Sequence, residues 1–339
     1  MRLPKFQYKS PATIDEAIAL VSEAKGDAVI IAGGTDLLPS MKQRRLTPKI
    51  VVNIKRAEDL AYIKDGENNV RIGALTRLSS IEESDIIRKK FPMLAKAAGE
   101  VGVPQHRNAG TIGGNLCLNT RCWYYNQSAF FRTCRPVCYK FGNEEDKCQL
   151  FPTREGKANV CYSVFSGDTA PSLIALKTEV KIKGPKGERK IPLAELYTGD
   201  GKRPLALGWG DILTEVIIPD PPAYSSGCYL KYRIREAIDF PLVGVAANIV
   251  LDSKDGICER ASVVLGAVAS RPVEVTDAED ILRSNKITDD LIEEVSEAAF
   301  KAAKPLSNLH ECSAQYRKRL AKIFTKRAIN SILSAISQS

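Results

Sequence analysis

Thr111-Ile112-Gly113-Gly114-Asn115 opens the stretch that decides the reading of this chain, and Ser166-Gly167-Asp168-Thr169-Ala170-Pro171 closes it. Between them stand Cys122, Cys134, Cys138, Cys148 and Cys161, five of the nine cysteines. A glycine turn lets backbone approach a bound group, because no side chain blocks contact and positive φ costs little. Clustered thiols point instead to a metal. Whether one redox device or two sit in this stretch is the question that the rest of the chain bears on.

A second glycine turn lies upstream. Ala28-Val29-Ile30-Ile31 reads as a short buried strand that runs into Ala32-Gly33-Gly34-Thr35-Asp36-Leu37-Leu38-Pro39. A strand ending in paired glycines before a helix start leaves free backbone amides where a diphosphate can sit. The turn lacks both the spacing of a dinucleotide fingerprint and the lysine of a P-loop. Neither of those nucleotide folds is expected.

Length and composition bound the rest. A chain of 339 residues exceeds one small core and predicts two or three packed units. Hydrophobic residues make up 44%, enough for ordinary cores, and no run approaches the roughly 18–20 apolar residues of a membrane span. The start, Met1-Arg2-Leu3-Pro4-Lys5, lacks a secretory segment. A cytoplasmic location is expected, where disulfides are disfavoured and metal ligation better explains a cysteine cluster. The net charge of +9 is spread among acidic residues, without a basic stripe interleaved with aromatics. Neither nucleic acid nor membrane is expected as a partner.

Along the chain, Thr13 and Glu16 form a capping box before a helix carrying Ile14, Ala17, Ile18 and Val21 at helical spacing. Strands are expected at 49–54 and 69–76, a capping box at Ser80 and Glu83, and helices over 86–101 broken near Pro92. A short helix at 171–176 precedes strands at 178–183, 188–191 and 212–218. Residues 219–227, rich in proline and serine, mark a boundary. Beyond it a three-stranded meander is expected over 229–234, 244–251 and 261–268. Helices follow at 276–283, capped by Thr276 with Glu279, at 289–303 and at about 314–336. The last is expected to present Leu320, Ile323 and Phe324 on one face. The fold class is α+β in three parts.

The spacing of the cysteines leaves their chemistry open. Cys122, Cys138, Cys148 and Cys161 are separated by 15, 9 and 12 intervening residues, with Cys134 as a fifth candidate. Zinc sites usually use close pairs, and only Cys134 and Cys138 form one. An iron-sulfur cluster also takes four thiolates, and its larger cage tolerates ligands from a long wrapping loop. Unligated thiols are the third reading. Trp123, Tyr124, Tyr125, Phe130 and Phe131 would supply an apolar shell, which tunes potential, or a small core under the loop.

The two glycine turns, Arg107-Asn108-Ala109-Gly110 before the second, Gly167-Asp168, and Leu230-Lys231-Tyr232-Arg233 occur in an order that resembles the FAD-binding medium subunits of the molybdenum hydroxylases, the xanthine dehydrogenase family. The resemblance covers nearly the whole chain. It implies a two-subdomain FAD-binding domain of the PCMH type over 1–220, divided at about 55, and a C-terminal domain over 225–336 like that of the carbon monoxide dehydrogenase flavoprotein. That second domain would be a three-stranded antiparallel sheet with a helix bundle. Within the first, residues 117–164 are an insertion that resembles the iron-sulfur loop of the 4-hydroxybenzoyl-CoA reductase beta subunit.

Carried over residue by residue, the resemblance implies that Val29, Ile30, Ile31, Ala32, Gly33, Gly34, Thr35 and Asp36 cradle the FAD diphosphate. Thr111, Ile112, Gly113, Gly114 and Asn115 would approach the flavin and its ribityl chain, with Val101 near the ring. Asp168 would accept hydrogen bonds from the cofactor, Leu213 would pack on it, and Lys231 would offer positive charge. Cys122, Cys138, Cys148 and Cys161 would hold a [4Fe-4S] cluster. The implied partners are a [2Fe-2S] small subunit, a molybdenum-cofactor large subunit and ferredoxin as electron donor, serving reductive dehydroxylation of an aromatic acyl-CoA. Two alternatives stand: an oxidative hydroxylase of aldehyde, CO or N-heterocycles, and a zinc-stapled non-redox binding module.

Overall fold

A computed structural model describes residues 2–57, 60–151, 160–306 and 312–338. Residues 152–159 of the expected insertion, and 307–311 of the last unit, lie outside the described residues. Three sheets divide the chain.

The first sheet is small and parallel. It takes β1 (Gln7–Lys9), β2 (Ala28–Ile31) and β3 (Ile50–Asn53) in the order β1-β3-β2, with α1 (Ile14–Ala24) and α2 (Leu37–Lys42) as connections. Helix α1 buries the expected Ile14, Ala17, Ile18 and Val21. Thr13 accepts the N–H of Glu16 at 3.1 Å, while the Glu16 carboxylate takes the N–H of Ala12 at 2.8 Å. The cap forms, displaced by one residue from the simple box. Lys25 ends the helix in the left-handed region at φ 41°.

The second sheet is antiparallel. Strands β4 (Ile63–Asp65) and β5 (Asn69–Gly73) precede a run of short helices: α3 (Leu78–Glu83), α4 (Asp85–Lys90), α5 (Pro92–Gly99), α6 (Pro104–Arg107), α7 (Ile112–Leu116), α8 (Ala129–Thr133) and α9 (Thr169–Ala175). Then β6 (Glu179–Gly184), β7 (Gly187–Pro192) and β8 (Ile212–Pro219) complete the order β4-β5-β8-β6-β7. Pro92 opens α5, where its missing N–H costs nothing. The expected cap at Ser80 does not form, because α3 has already begun at Leu78, whose N–H is held by Gly110 O at 3.0 Å. A tertiary contact sets that helix start.

The C-terminal sheet has four strands among the described residues, one more than expected. Strands β9 (Ser225–Tyr232), β10 (Val243–Leu251), β11 (Cys258–Gly266) and the two-residue β12 (Val273–Glu274) run in the order β12-β11-β10-β9. Two residues are too few to show a periodicity. Strand β9 also begins at Ser225, inside the stretch expected to be linker. Helices α10 (Asp277–Leu282), α11 (Asp289–Ala302) and α12 (Ala314–Gln338) cover one face. The Thr276 side chain makes no cap to α10. On α12, Leu320 is buried and Phe324 packs on the core, but Ile323 is exposed. The other sheet face joins the core of the second unit through Tyr229, Ala246 and Val264.

Candidate functional site

The two glycine turns meet. Gly34 takes φ 73°, which favours glycine. Gly33 is needed for another reason: a Cβ there would stand 2.2 Å from the carbonyl oxygen of Ala109. The turns are therefore packed backbone against backbone. Among the described residues no acceptor takes the N–H groups of Gly33, Gly34, Thr35 or Asp36, which suits them to phosphate oxygens.

The second turn is pinned from below. Thr111 caps α7 by accepting the N–H of Gly114 at 3.1 Å. The N–H groups of Ile112 and Gly113 donate to Thr76 O and Ala74 O, each at 2.9 Å. A Cβ at Gly113 would come within 2.9 Å of Ala74, so this glycine seats the turn on the sheet. Gly114 is exposed, with only the Thr111 hydroxyl near its Cβ position. Seated below and open above, the turn fits the approach of a flat cofactor.

Asn115 ties this turn to a buried charge. Its side-chain oxygen accepts from the Thr169 hydroxyl at 2.7 Å, next to Asp168. The Asp168 carboxylate takes the Tyr229 hydroxyl at 2.7 Å and the Lys231 ammonium at 3.1 Å. Lys231 also donates to Glu100 O at 2.7 Å. Burial pushes Asp168 up to about 6, against the pull of Lys231 and Tyr229 in the other direction. Asp168 and Lys231 are thus engaged with each other, fastening the C-terminal sheet to the second turn. Val101 is half-buried against the adjoining core, and Leu213 lies in that core opposite Ile182.

The cysteine segment leaves and rejoins this frame through one stem. Arg121 and Val164 exchange backbone hydrogen bonds at 2.7 and 2.8 Å. The Arg121 guanidinium pairs with Asp36 of the first turn at 2.9 Å and lies 4.1 Å from the Phe240 ring centre. Arg132 donates to the carbonyls of Gln43 and Arg44 at 3.1 and 2.9 Å. The segment is docked on the first glycine turn and the end of α2.

Cys122, Cys138, Cys148 and Cys161 all line one cavity of about 290 Å³. Cys134 does not line it and is exposed. The close pair that spacing offered for zinc is therefore split. Among the described residues no three His, Cys, Asp or Glu side chains are arranged to hold a single metal ion. A tetrahedral zinc with sulfur at about 2.3 Å would draw four sulfurs to about 3.8 Å of one another. Four thiols lining one cavity are the donor set that a cluster's cage would need. Burial pushes the Cys122 thiol up to about 11 and raises that of Cys161, so ligation releases protons. Of the expected aromatic shell, Tyr124 and Tyr125 are buried, but Phe130 is 80% exposed.

Residues 4–221 match the model of the FAD binding domain in molybdopterin dehydrogenase, and residues 228–332 match the carbon monoxide dehydrogenase flavoprotein C-terminal domain. The chain belongs to this flavoprotein family. It is 30% identical to the nicotinate dehydrogenase FAD-subunit of Eubacterium barkeri, over 85% of this chain and 83% of the relative. It is 29% identical to the nicotine 6-hydroxylase medium subunit of Paenarthrobacter nicotinovorans, over 97% and 98%. A solved carbon monoxide dehydrogenase of Hydrogenophaga pseudoflava superposes with a TM-score of 0.80 at 25% identity, covering 98% of this chain and 99% of that one. Family membership overturns the reading of the whole chain as a non-redox binding module. No described helix is long and apolar enough to cross a membrane.

In this flavoprotein the sequence missed Tyr229, Arg132 and Lys140. Tyr229 sits two residues before Lys231 on β9 and so shares its face, which strand periodicity can reveal. Lys140 follows Cys138 by two residues. Its ammonium is held by Asn119 Oδ1 at 2.8 Å, Thr120 O at 3.0 Å, Thr120 Oγ1 at 2.5 Å and Ser163 Oγ at 3.3 Å. Burial pushes it down to about 8.

The contact between the turns gives a direct test. Gly33→Val would force them apart, and overpacking of this kind costs about 1–3 kcal/mol, which corresponds to about a 5- to 150-fold loss of flavin affinity. Flavin absorbance after gel filtration reads the effect. Full retention of FAD would show that the turns can separate without harm to the cradle.

Proposed function

We propose that this chain is the FAD- and [4Fe-4S]-carrying electron-transfer subunit of a heteromeric molybdenum enzyme. The observation that carries the reading is the convergence of four cysteines on one cavity, docked through Arg121 and Asp36 on the glycine turns. FAD would lie along residues 29–36 and 111–115, with Asp168 and Lys231 fixing the second turn from behind and Val101 and Leu213 at its edges. Cys122, Cys138, Cys148 and Cys161 would ligate the cluster. A flavin exchanges electrons singly or in pairs, so it can join one-electron clusters to a two-electron centre. A [2Fe-2S] small subunit and a molybdenum-cofactor large subunit would complete the complex, with substrate chemistry on the large one. The units over 1–220, divided at about 55, and 225–336 belong to the same reading.

The dehydrogenases and hydroxylase to which the chain is similar favour the oxidative direction, with an aldehyde, CO or N-heterocycle as substrate and electrons leaving through the cluster. A second reading rests on the inserted cysteine segment and its resemblance to the 4-hydroxybenzoyl-CoA reductase loop. There ferredoxin would supply electrons for reductive dehydroxylation of an aromatic acyl-CoA. Assays of the whole complex separate the two. Oxidation of an N-heterocycle or aldehyde with an artificial acceptor, without reduction of 4-hydroxybenzoyl-CoA by reduced ferredoxin, supports the first; the converse supports the second.

A further inference from the structure

The charged side chains lining the cysteine cavity are mostly cations, Lys140, Arg121 and Arg317 against Asp239. Lys140 lines the cavity with the four thiols, and its ammonium takes two side-chain hydroxyls, an amide oxygen and a backbone carbonyl as acceptors. Among the described residues no Asp or Glu pairs with it. Asp239 and Arg121 also line the cavity, but Asp239 pairs with Arg235 at 3.2 Å and Arg121 with Asp36 at 2.9 Å. Lys140 reaches Cys161 through Ser163, whose hydroxyl lies 3.3 Å from the ammonium and 3.1 Å from the thiol sulfur.

An enclosed ammonium held by neutral oxygens and by the face of Tyr125, whose ring centre lies 4.8 Å away, still lacks the anion that normally offsets its desolvation. Four thiolates around an iron-sulfur core supply one. They outweigh the positive core, so the assembly is an anion that becomes more negative on one-electron reduction. We propose that Lys140 is the counter-charge of this site, a positioning residue that raises the cluster's reduction potential and is itself held in place by Thr120, Asn119 and Ser163. This rests on the cluster reading above and goes beyond it, because it assigns a role to a residue that ligates nothing.

The test uses the whole complex at pH 7, with Lys140→Met, Lys140→Gln and Lys140→Arg beside the wild type. Iron, acid-labile sulfide and FAD are quantified, and the [4Fe-4S] signal is followed by electron paramagnetic resonance through a redox titration. Lys140→Met is expected to shift the cluster to lower potential by at least about tenfold in the reduced-to-oxidised ratio at the wild-type midpoint, about 59 mV for one electron. Lys140→Arg is expected to restore most of that shift. If Met displaces the cluster, iron kept in Lys140→Arg and lost in Lys140→Gln supports charge as the requirement. Iron lost from both, or an unmoved potential in a neutral variant that keeps its iron, overturns the proposal and leaves the cluster reading standing. A wild type with FAD but no [4Fe-4S] signal overturns both.

Discussion

Cys161→Ser is expected to remove about four iron and four sulfide per chain from the purified complex while leaving FAD in place. Cys161 is the most deeply buried of the four cavity cysteines, 7% exposed, and its sulfur lies 3.1 Å from the Ser163 hydroxyl, which also accepts from Lys140. Its loss removes one corner of the cage and leaves the glycine turns untouched, since the stem at Arg121 and Val164 closes through backbone hydrogen bonds. Cys134→Ser supplies the contrast. Cys134 is exposed and lies off the cavity, so this variant is expected to keep its iron. Unchanged iron in Cys161→Ser, or its loss from Cys134→Ser, would reassign the ligands.

Lys231→Met is expected to destabilise the flavin-loaded chain by about 3–5 kcal/mol, the usual cost of leaving one half of a buried ion pair uncompensated. Asp168 and Lys231 are both nearly inaccessible, their side chains 4% and 1% exposed. The sign of the pH dependence follows from Asp168. Its carboxyl stands at about 6 in the folded chain against an ordinary 3.8. Between about 4 and 6 the native state therefore binds more protons than the unfolded one, and this group's contribution to stability falls as pH rises. Removing the lysine extends that window upward. Thermal unfolding of Lys231→Met at pH 5 and pH 8 should then show the larger loss at pH 8, and equal losses at both would contradict the account. Asp168→Asn combined with Lys231→Met should recover part of the loss, because no charge is left stranded.

Residues with a strong local signal were legible in the sequence. Thr13, the helical spacing of Ile14 to Val21, and Pro92 at a helix start act through chain neighbours alone, and the structure keeps each of them. Ser80 and Thr276 fit the same capping pattern and cap nothing, because contacts from distant segments decide where α3 starts and the Thr276 backbone is already helical. The site divides in the same way. Gly33 and Gly113 stand out by composition, and both are required where backbone meets backbone. Tyr229, Lys140 and the Arg121–Asp36 pair gain their meaning from partners 61, 20 and 85 residues away, a distance that no local pattern reports. Cys134 shows the converse: its close spacing to Cys138 suggested a ligand pair, and the fold turns it outward.

The inserted segment is proposed to hold a cluster beside a flavin. Anaerobic purification of the complex with Mössbauer and flavin analysis tests it most directly. One [4Fe-4S] centre and one FAD per chain, distinct from any [2Fe-2S] signal of the partner subunit, is the expected result. FAD with zinc, or FAD with no [4Fe-4S] component, would contradict it.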